Sequence, residues 1–262
     1  TEKPLAVAFF TNEEGARFQP DMLGRLVYVG GMALEEALDG RAADDGAVLG
    51  DELCRIGYAG PLPCPTAAAP YAYVELHIEQ GPVLEDEGVT VGVVTGVQGI
   101  SWTEITITGQ AAHAGTTPMR LRHDAGYVAA EIIAGVRAIA RQMGGTQVAT
   151  AGRCEFAPNL VNVVPAGVTL TVDLRNTDEH MLQQAEHRFA VLCERLATAE
   201  GVSIASRSLA RFQPVDFDER MIDLVHSTAA RLGHTTMRMP SGAGHDAQML
   251  ARLCPTSMIF VP

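Results

Sequence analysis

Hydrophobic and polar positions alternate in two different ways along the chain. Leu5 to Phe10, Tyr73 to Ile78 and Met258 to Val261 are short apolar runs, and each predicts a buried strand of a parallel sheet. Between the first two, Met22, Leu26, Val29, Ala33 and Ala37 recur at three- and four-residue spacing, which predicts a helix. Pro61 to Pro70 contains four prolines and reads as a loop. Strands separated by a helix in this way predict an α/β sheet, whose ligands bind beyond the carboxyl ends of the strands. Glu13, Glu14 and His77 fall at such ends.

The middle of the chain follows another order. Ile100 to Gly109 is strand-like, and Ala125, Val128, Ile132, Val136 and Ile139 mark one helix face. Gln147 to Phe156 reads as a strand, and Val168, Leu170, Val172 and Leu174 alternate along the next one. A second helix follows through Leu182, Ala185, Phe189, Leu192 and Leu196, and a last strand spans Val202 to Phe212. The order βαββαβ is that of the split ferredoxin-like unit. The fold class expected is therefore α/β: a mostly parallel α/β domain built from residues 1–97 and 213–262, with a ferredoxin-like domain inserted at 98–212. Beyond a short alanine run at Thr66 to Pro70, no biased tract or repeat interrupts this plan.

Composition narrows the function. At 262 residues the chain suffices for one large domain or two modest ones. A net charge of −12 argues against nucleic acid or an anionic membrane surface as partner, since both select for basic patches. No run of eighteen apolar residues is present to span a bilayer, and Thr1 to Pro4 lacks a signal-peptide pattern. The five cysteines, Cys54, Cys64, Cys154, Cys193 and Cys254, are scattered without CxxC spacing. They read as reduced thiols of a cytoplasmic protein rather than zinc ligands.

Against this background a few polar residues have two readings each. Glu13-Glu14 is either a solvated acidic pair, or one carboxylate ligates a metal while its neighbour takes a proton from an activated water. His77, with Glu75 and Glu79, interrupts an apolar strand, so it is either a hydrogen-bonded structural residue or a metal ligand. His113, in "AAHAGTTP", sits in a small-residue loop ahead of the insert's first helix, which is a tight turn on the plainer reading. "GAGHDA", residues 242–247, is a glycine-rich turn opening a helix, whose backbone N–H groups suit a carboxylate if they do more than turn the chain. Arg175 beside Asp173 and Asn162 in "PNLVNVVP" are read first as a surface pair and a turn residue.

Together, "TNEEGARF", "ELHIEQGPVLE", "GQAAHAGTTPM", "PNLVNVVP", "DLRN" and "SGAGHDAQ" resemble the M20-type metal-dependent amidohydrolases. The resemblance is to the branch of N-carbamoyl-L-amino-acid hydrolase, allantoate amidohydrolase and β-ureidopropionase, and it runs in order from Pro4 to Pro262. "ELHIEQGP" is similar to this branch rather than to the peptidases and aminoacylases, which usually carry an acidic ligand at that strand end.

What the resemblance implies is specific. Glu13 would be the general base, Glu14 and His77 metal ligands, and Gln80 a substrate contact. His113, on an inserted lid that also makes a homodimer, would stabilise the oxyanion, often in the partner subunit's site. Asn162 and Arg175 would hold the substrate carboxylate with the backbone at Gly244, and His245 lies beside that contact. The implied cofactor is two divalent metal ions, Zn²⁺ or Mn²⁺, with Co²⁺ and Ni²⁺ compatible as well. The implied reaction is hydrolysis of the carbamoyl C–N bond of an N-carbamoyl-L-amino acid to amino acid, CO2 and ammonia. Allantoate, N-carbamoyl-β-alanine and acyl or peptide substrates are its rivals. The family pattern also has a histidine and a bridging aspartate before the double glutamate and a histidine ligand after the last strand; this sequence carries none of them. The chain as it stands is therefore expected to have an incomplete metal site and to be inactive, and a dimerising module that binds small carboxylates is the alternative to an enzyme.

Overall fold

The computed structural model describes residues 3–64 and 69–262. Residues 65–68, within the expected proline loop and alanine run, lie outside them. Two compact units result, one formed by residues 1–97 and 216–262, the other by 98–215.

In the first unit the chain forms α1 (Leu23–Tyr28), α2 (Leu34–Leu38), α3 (Leu49–Arg55), β1 (Tyr73–Ile78), α4 (Val83–Asp86) and β2 (Val91–Val97). The second contains β3 (Gly99–Thr108), β4 (Ala112–His113), α5 (Ala125–Met143), β5 (Val148–Ala157), β6 (Val163–Val164), β7 (Gly167–Asn176), α6 (Glu179–Glu200) and β8 (Ser203–Phe212). After β9 (Val215–Asp216), the first unit resumes with α7 (Glu219–Arg231), β10 (Thr236–Ser241), α8 (Asp246–Leu250) and β11 (Thr256–Val261).

The first unit's sheet runs β1-β11-β2-β10. β1 and β11 are parallel, with Tyr73 opposite Thr256 and His77 opposite Phe260. β2 and β10 are also parallel, while β11 and β2 are antiparallel. Helix α7 packs on it through Ile222, Val225 and Ala229, and Asp218 caps that helix by accepting from the N–H groups of Arg220 and Met221. Val93, Val94, Met258 and Phe260 are fully buried in this layer. A satellite core of Phe18, Leu23, Val27, Ala37 and Leu49 lies under α1 to α3.

Three expectations for this unit need correction. Residues 5–10 form no strand: Leu5, Val7 and Phe9 are 87, 81 and 92% exposed, and no described strand pairs with them. An apolar run makes a strand only where a ladder and a covering layer receive it. The helix expected over Met22 to Ala37 is two short helices, because Gly30 takes φ 76° between them. β1, finally, is not buried on both faces. Its inner positions are Tyr73, Glu75 and His77, and its apolar residues Val74, Leu76 and Ile78 face outward.

The long elements of the second unit follow the expected order; the short strands β4 and β6 are additional, and His113, expected in a loop, lies on β4 because it pairs with Val163. Strands β5-β7-β3-β8 form an antiparallel sheet, with β3 and β7 in register from Gly99 opposite Asn176 to Thr108 opposite Gly167. Helices α5 and α6 cover one face, burying Val128, Ile132, Leu170, Val172, Leu182 and Phe189. Each such side chain, fully buried, contributes roughly 1.5–3 kcal/mol. Asp124 and Asp178 cap the two helices with their carboxylates. The four-stranded sheet's other face is polar and carries Trp102, Glu104, Asp173 and Arg175.

Candidate active site

The candidate residues fall into two sets, one in each unit. In the first, the chain between Thr11 and Met22 closes on itself, with Met22 N–H donating to Glu13 O and Gly24 N–H to Thr11 O. Asn12 (φ 54°) and Gly15 (φ 63°) bracket Glu13-Glu14 in left-handed conformation. A Cβ at Gly15 would lie 2.6 Å from that of Asp21, so only glycine fits there. Asn12 secures the loop by donating to the carbonyls of Phe18 and Pro20, and Arg17 ties it to Glu52 of α3 at 2.7 Å. Glu14 ends up exposed and Glu13 partly buried.

Glu13 meets a residue that sequence reasoning passed over. Arg25 on α1 is fully buried; its NH1 donates to Glu13 Oε1 at 3.3 Å and to Asp246 at the start of α8. Among the described residues its Nε and NH2 find no acceptor. Burial lowers its pKa to about 10, against the pull of Glu13, Glu75 and Asp21. The signal was present in the sequence as one cation inside the apolar stretch "LGRLVYV", soon after two glutamates.

On β1, Glu75 and His77 face the same way as Tyr73. Glu75 Oε2 accepts the N–H of Ala247 at 2.7 Å and the Tyr73 hydroxyl at 3.3 Å, which fastens α8 to the strand. Burial raises the Glu75 pKa, opposed by Ala247 N–H and Arg25. His77 and His245 stack edge-on with ring centroids 4.6 Å apart, both beside Phe260. His245 is buried and bonded through Nε2 to Ser241 Oγ at 2.7 Å. Burial, with His77 and Arg25 nearby, drops its pKa to about 4, so it is neutral at pH 7. Gln80, exposed just past the strand, holds φ 56°, unusual for a non-glycine residue. Glu79 is a structural cap, because its carboxylate accepts the N–H groups of Val83 and Leu84 at the head of α4. Gly244 precedes His245, and a Cβ there would come within 2.9 Å of the flexible end of Met22.

The implied metal can be tested against these donors. His77 Nδ1 contacts the carbonyl of Ile78 at 2.8 Å, so Nδ1 carries the hydrogen and Nε2 is left as the coordinating atom, the usual anchoring of a ligand histidine. His77 and the exposed carboxylate of Glu14 are suited to be single ligands. Among the described residues, however, no three His, Cys, Asp or Glu side chains gather into a cation site.

In the second unit, the ribbon of β4 and β6 brings two candidates together. His113 pairs with Val163, and the carbonyl of Asn162 accepts Ala114 N–H at 2.9 Å. His113 Nδ1 accepts the N–H groups of Gly115 and Thr116 at 3.0 and 3.2 Å. Two donors on Nδ1 require the proton on Nε2, which is presented outward as a donor. Arg175 belongs to the polar sheet face, where it pairs with Asp173 at 2.8 Å and lies over the Trp102 ring. Buried Gln147 donates to the Arg175 carbonyl at 3.0 Å and fixes the backbone there.

With this geometry in place, the comparisons with known proteins decide the family. The sequence matches Peptidase family M20/M25/M40 over residues 1–262. This chain belongs to that family. Within it, the chain is 42% identical over 266 residues to the N-carbamoyl-L-amino-acid amidohydrolase of Rhizobium meliloti, covering 100% of this chain and 62% of that protein. It is 40% identical over 265 residues to the enzyme of that name from Geobacillus stearothermophilus, with 100% and 64% covered. The crystal structure of an amidase of the hydantoinase/carbamoylase family from Burkholderia multivorans superposes with a TM-score of 0.94 at 43% identity, covering 97% of this chain and 61% of that one. The chain thus spans less than two thirds of the length of these relatives.

Proposed function

We propose that this M20 chain is part of a metal-dependent amidohydrolase that hydrolyses the carbamoyl C–N bond of an N-carbamoyl-L-amino acid. The observation that carries the reading is the His113 tautomer: an imidazole whose only outward hydrogen is on Nε2 is a ready donor to a developing oxyanion. Two relatives named for this activity, at 42 and 40% identity, support the substrate class.

The roles follow from chemistry. A ureido carbonyl is a weak electrophile, so water must be deprotonated and the tetrahedral oxyanion stabilised. Glu13, held by Arg25, takes the proton of the attacking water, whose oxygen bonds to the carbonyl carbon. His113 Nε2–H donates to the oxygen that becomes negative. The proton then passes from Glu13 to the departing nitrogen as the C–N bond breaks. The carbamate left behind takes up a proton and loses CO2, which frees the second nitrogen, so that ammonia, CO2 and the amino acid result. Arg175 and Asn162 hold the substrate carboxylate, with Asp173 keeping the Arg175 fork oriented and the Gly244 backbone assisting. Gln80 contacts the substrate, and His245, neutral, packs beside His77. Glu14 and His77 would be ligands to two divalent ions, Zn²⁺ or Mn²⁺, completed by donors beyond the described residues. When bound, such ions supply carbonyl polarisation and a more acidic water. The unit 98–215 acts as lid and homodimer surface in this reading. A cytoplasmic setting accords with five free cysteines, and no described helix is long and apolar enough to cross a membrane.

The test is ammonia release, with Mn²⁺ or Zn²⁺ added, from N-carbamoyl-L-amino acids, N-carbamoyl-β-alanine and allantoate. The catalyst is a polypeptide carrying these residues at the full length of the relatives. Highest kcat/KM on an N-carbamoyl-L-amino acid is expected; preference for allantoate or N-carbamoyl-β-alanine reassigns the substrate, and no ammonia from any of them rejects the reading.

A further inference from the structure

We infer that Arg122 is the positioning residue that sets the tautomer and direction of His113. The inference rests on the role proposed above for that histidine, and the geometry behind it is local to one turn. Residues 113–117 close a tight turn, with Thr117 N–H donating to His113 O at 3.1 Å. Arg122, partly buried after the short 3-10 turn Met119–Leu121, reaches back across it. Its NH2 donates to the Ala114 carbonyl at 2.7 Å and its Nε to the Thr117 carbonyl at 3.0 Å. One rigid fork thus grips both ends of the turn.

The decisive detail is which peptide group is gripped. The carbonyl of Ala114 and the N–H of Gly115 belong to the same planar unit and point in opposite directions. Arg122 holds the oxygen end, and the hydrogen end is the one that donates to His113 Nδ1 at 3.0 Å. Rotating this peptide would break both contacts together. The cation also polarises the carbonyl it binds, which strengthens donation from the N–H on the far side. From the other flank, Ala114 N–H is fixed by the Asn162 carbonyl at 2.9 Å. Asp124, two residues on, is occupied in capping α5, so the turn's restraint from this segment comes through Arg122.

An arginine that only stabilised the fold would lower the melting temperature and leave the imidazole nitrogens untouched. The experiment therefore reads those nitrogens. The 262-residue chain is labelled with ¹⁵N-histidine, His113 is assigned by difference with H113N, and long-range ¹H–¹⁵N spectra are recorded in mildly alkaline buffer. The expected wild-type pattern is a pyridine-like Nδ1 and a pyrrole-like Nε2. In R122M the two shifts should move toward each other as the tautomers interchange. In R122K, where an ammonium reaches one carbonyl only, the movement should be smaller but resolved. His113 shifts unchanged in folded R122M overturn the inference; if R122M does not fold, unchanged shifts in R122K do so. In the full-length enzyme, R122M should lower kcat about tenfold or more with little change in KM. Should H113N leave kcat intact, the oxyanion role of His113 falls, while the spectra still decide whether Arg122 sets its tautomer.

Discussion

In the unit 98–215 the apolar side chains of the long elements point inward, Val128, Ile132, Leu170 and Leu182 among them, and the functional candidates His113 and Arg175 stand on its polar loops and face. On β1 of the other unit the arrangement is reversed: Tyr73, Glu75 and His77 face in, while Val74, Leu76 and Ile78 are 46, 69 and 54% exposed. The unit 98–215 holds its shape by burying hydrocarbon and keeps its candidate residues at the rim. The unit of residues 1–97 and 216–262 gathers its candidates around buried charge, with Arg25 at 0% exposure between Glu13 and Asp246 and a neutral His245 beside Glu75. Buried charges cost desolvation that their partners only partly return. A site of this kind is therefore held in place at the expense of local stability, whereas the insert's rim residues carry no such cost.

Four measurements sharpen or break this contrast. The largest effect is expected from Leu170→Ala in the insert core, a loss of about 2–5 kcal/mol in urea unfolding followed through Trp102 fluorescence. A loss under 1 kcal/mol would mean that the core is not packed as described. Arg25→Met comes second. Removing one member of a buried ion pair costs about 3–5 kcal/mol, but Met also removes two unpartnered buried donors, which returns part of that. A net loss of roughly 1–3 kcal/mol should appear in the unfolding of the first unit, and stabilisation would show that Arg25 is a burden rather than a tie.

A pH effect comes third. Hydrogen bonds from Arg55 and Arg17 pull the Glu52 pKa from 4.5 to about 2. A carboxylate depressed on folding contributes stability that is complete above the unfolded value and is lost as pH falls through the folded one. E52Q should therefore flatten the acid side of the stability profile between about pH 4.5 and 2, and parallel profiles for the two proteins would contradict the pairing. The smallest change is Leu76→Thr on the open face of β1, expected within about 0.5 kcal/mol of wild type. A large loss there would mean that this face is covered in solution.

How far the sequence could be read follows the same division. Periodicity found the insert's four long strands and two helices because burial sets one face of each, down to Ala125, Val128, Ile132, Val136 and Ile139 on α5, whereas the two-residue strands β4 and β6 are too short to carry a period. The pattern misled at Leu5 to Phe10, whose apolar run finds no ladder among the described strands, and at Met22 to Ala37, where Gly30 divides the helix. The short α3 and α4 and the strands β2 and β10 were not anticipated; β2 contains Gly92 and Gly96, which weaken a strand signal. The motifs singled out Glu13, His77, His113 and Arg175, because each is a polar residue in a setting that sequence alone does not justify. Arg25 and Arg122 escaped because their meaning lies in contacts: Arg25 reaches Asp246 across most of the chain, and Arg122 grips backbone carbonyls that no side-chain pattern records.

The most direct test of the account is Glu13→Gln in the full-length enzyme, assayed by ammonia release from an N-carbamoyl-L-amino acid at saturating Mn²⁺ or Zn²⁺. Loss of the proton acceptor should lower kcat by about 10²–10⁴-fold, with KM nearly unchanged. A variant that keeps wild-type kcat would contradict the assignment of Glu13 as the base, and with it the reading of the first unit's buried charge as catalytic machinery.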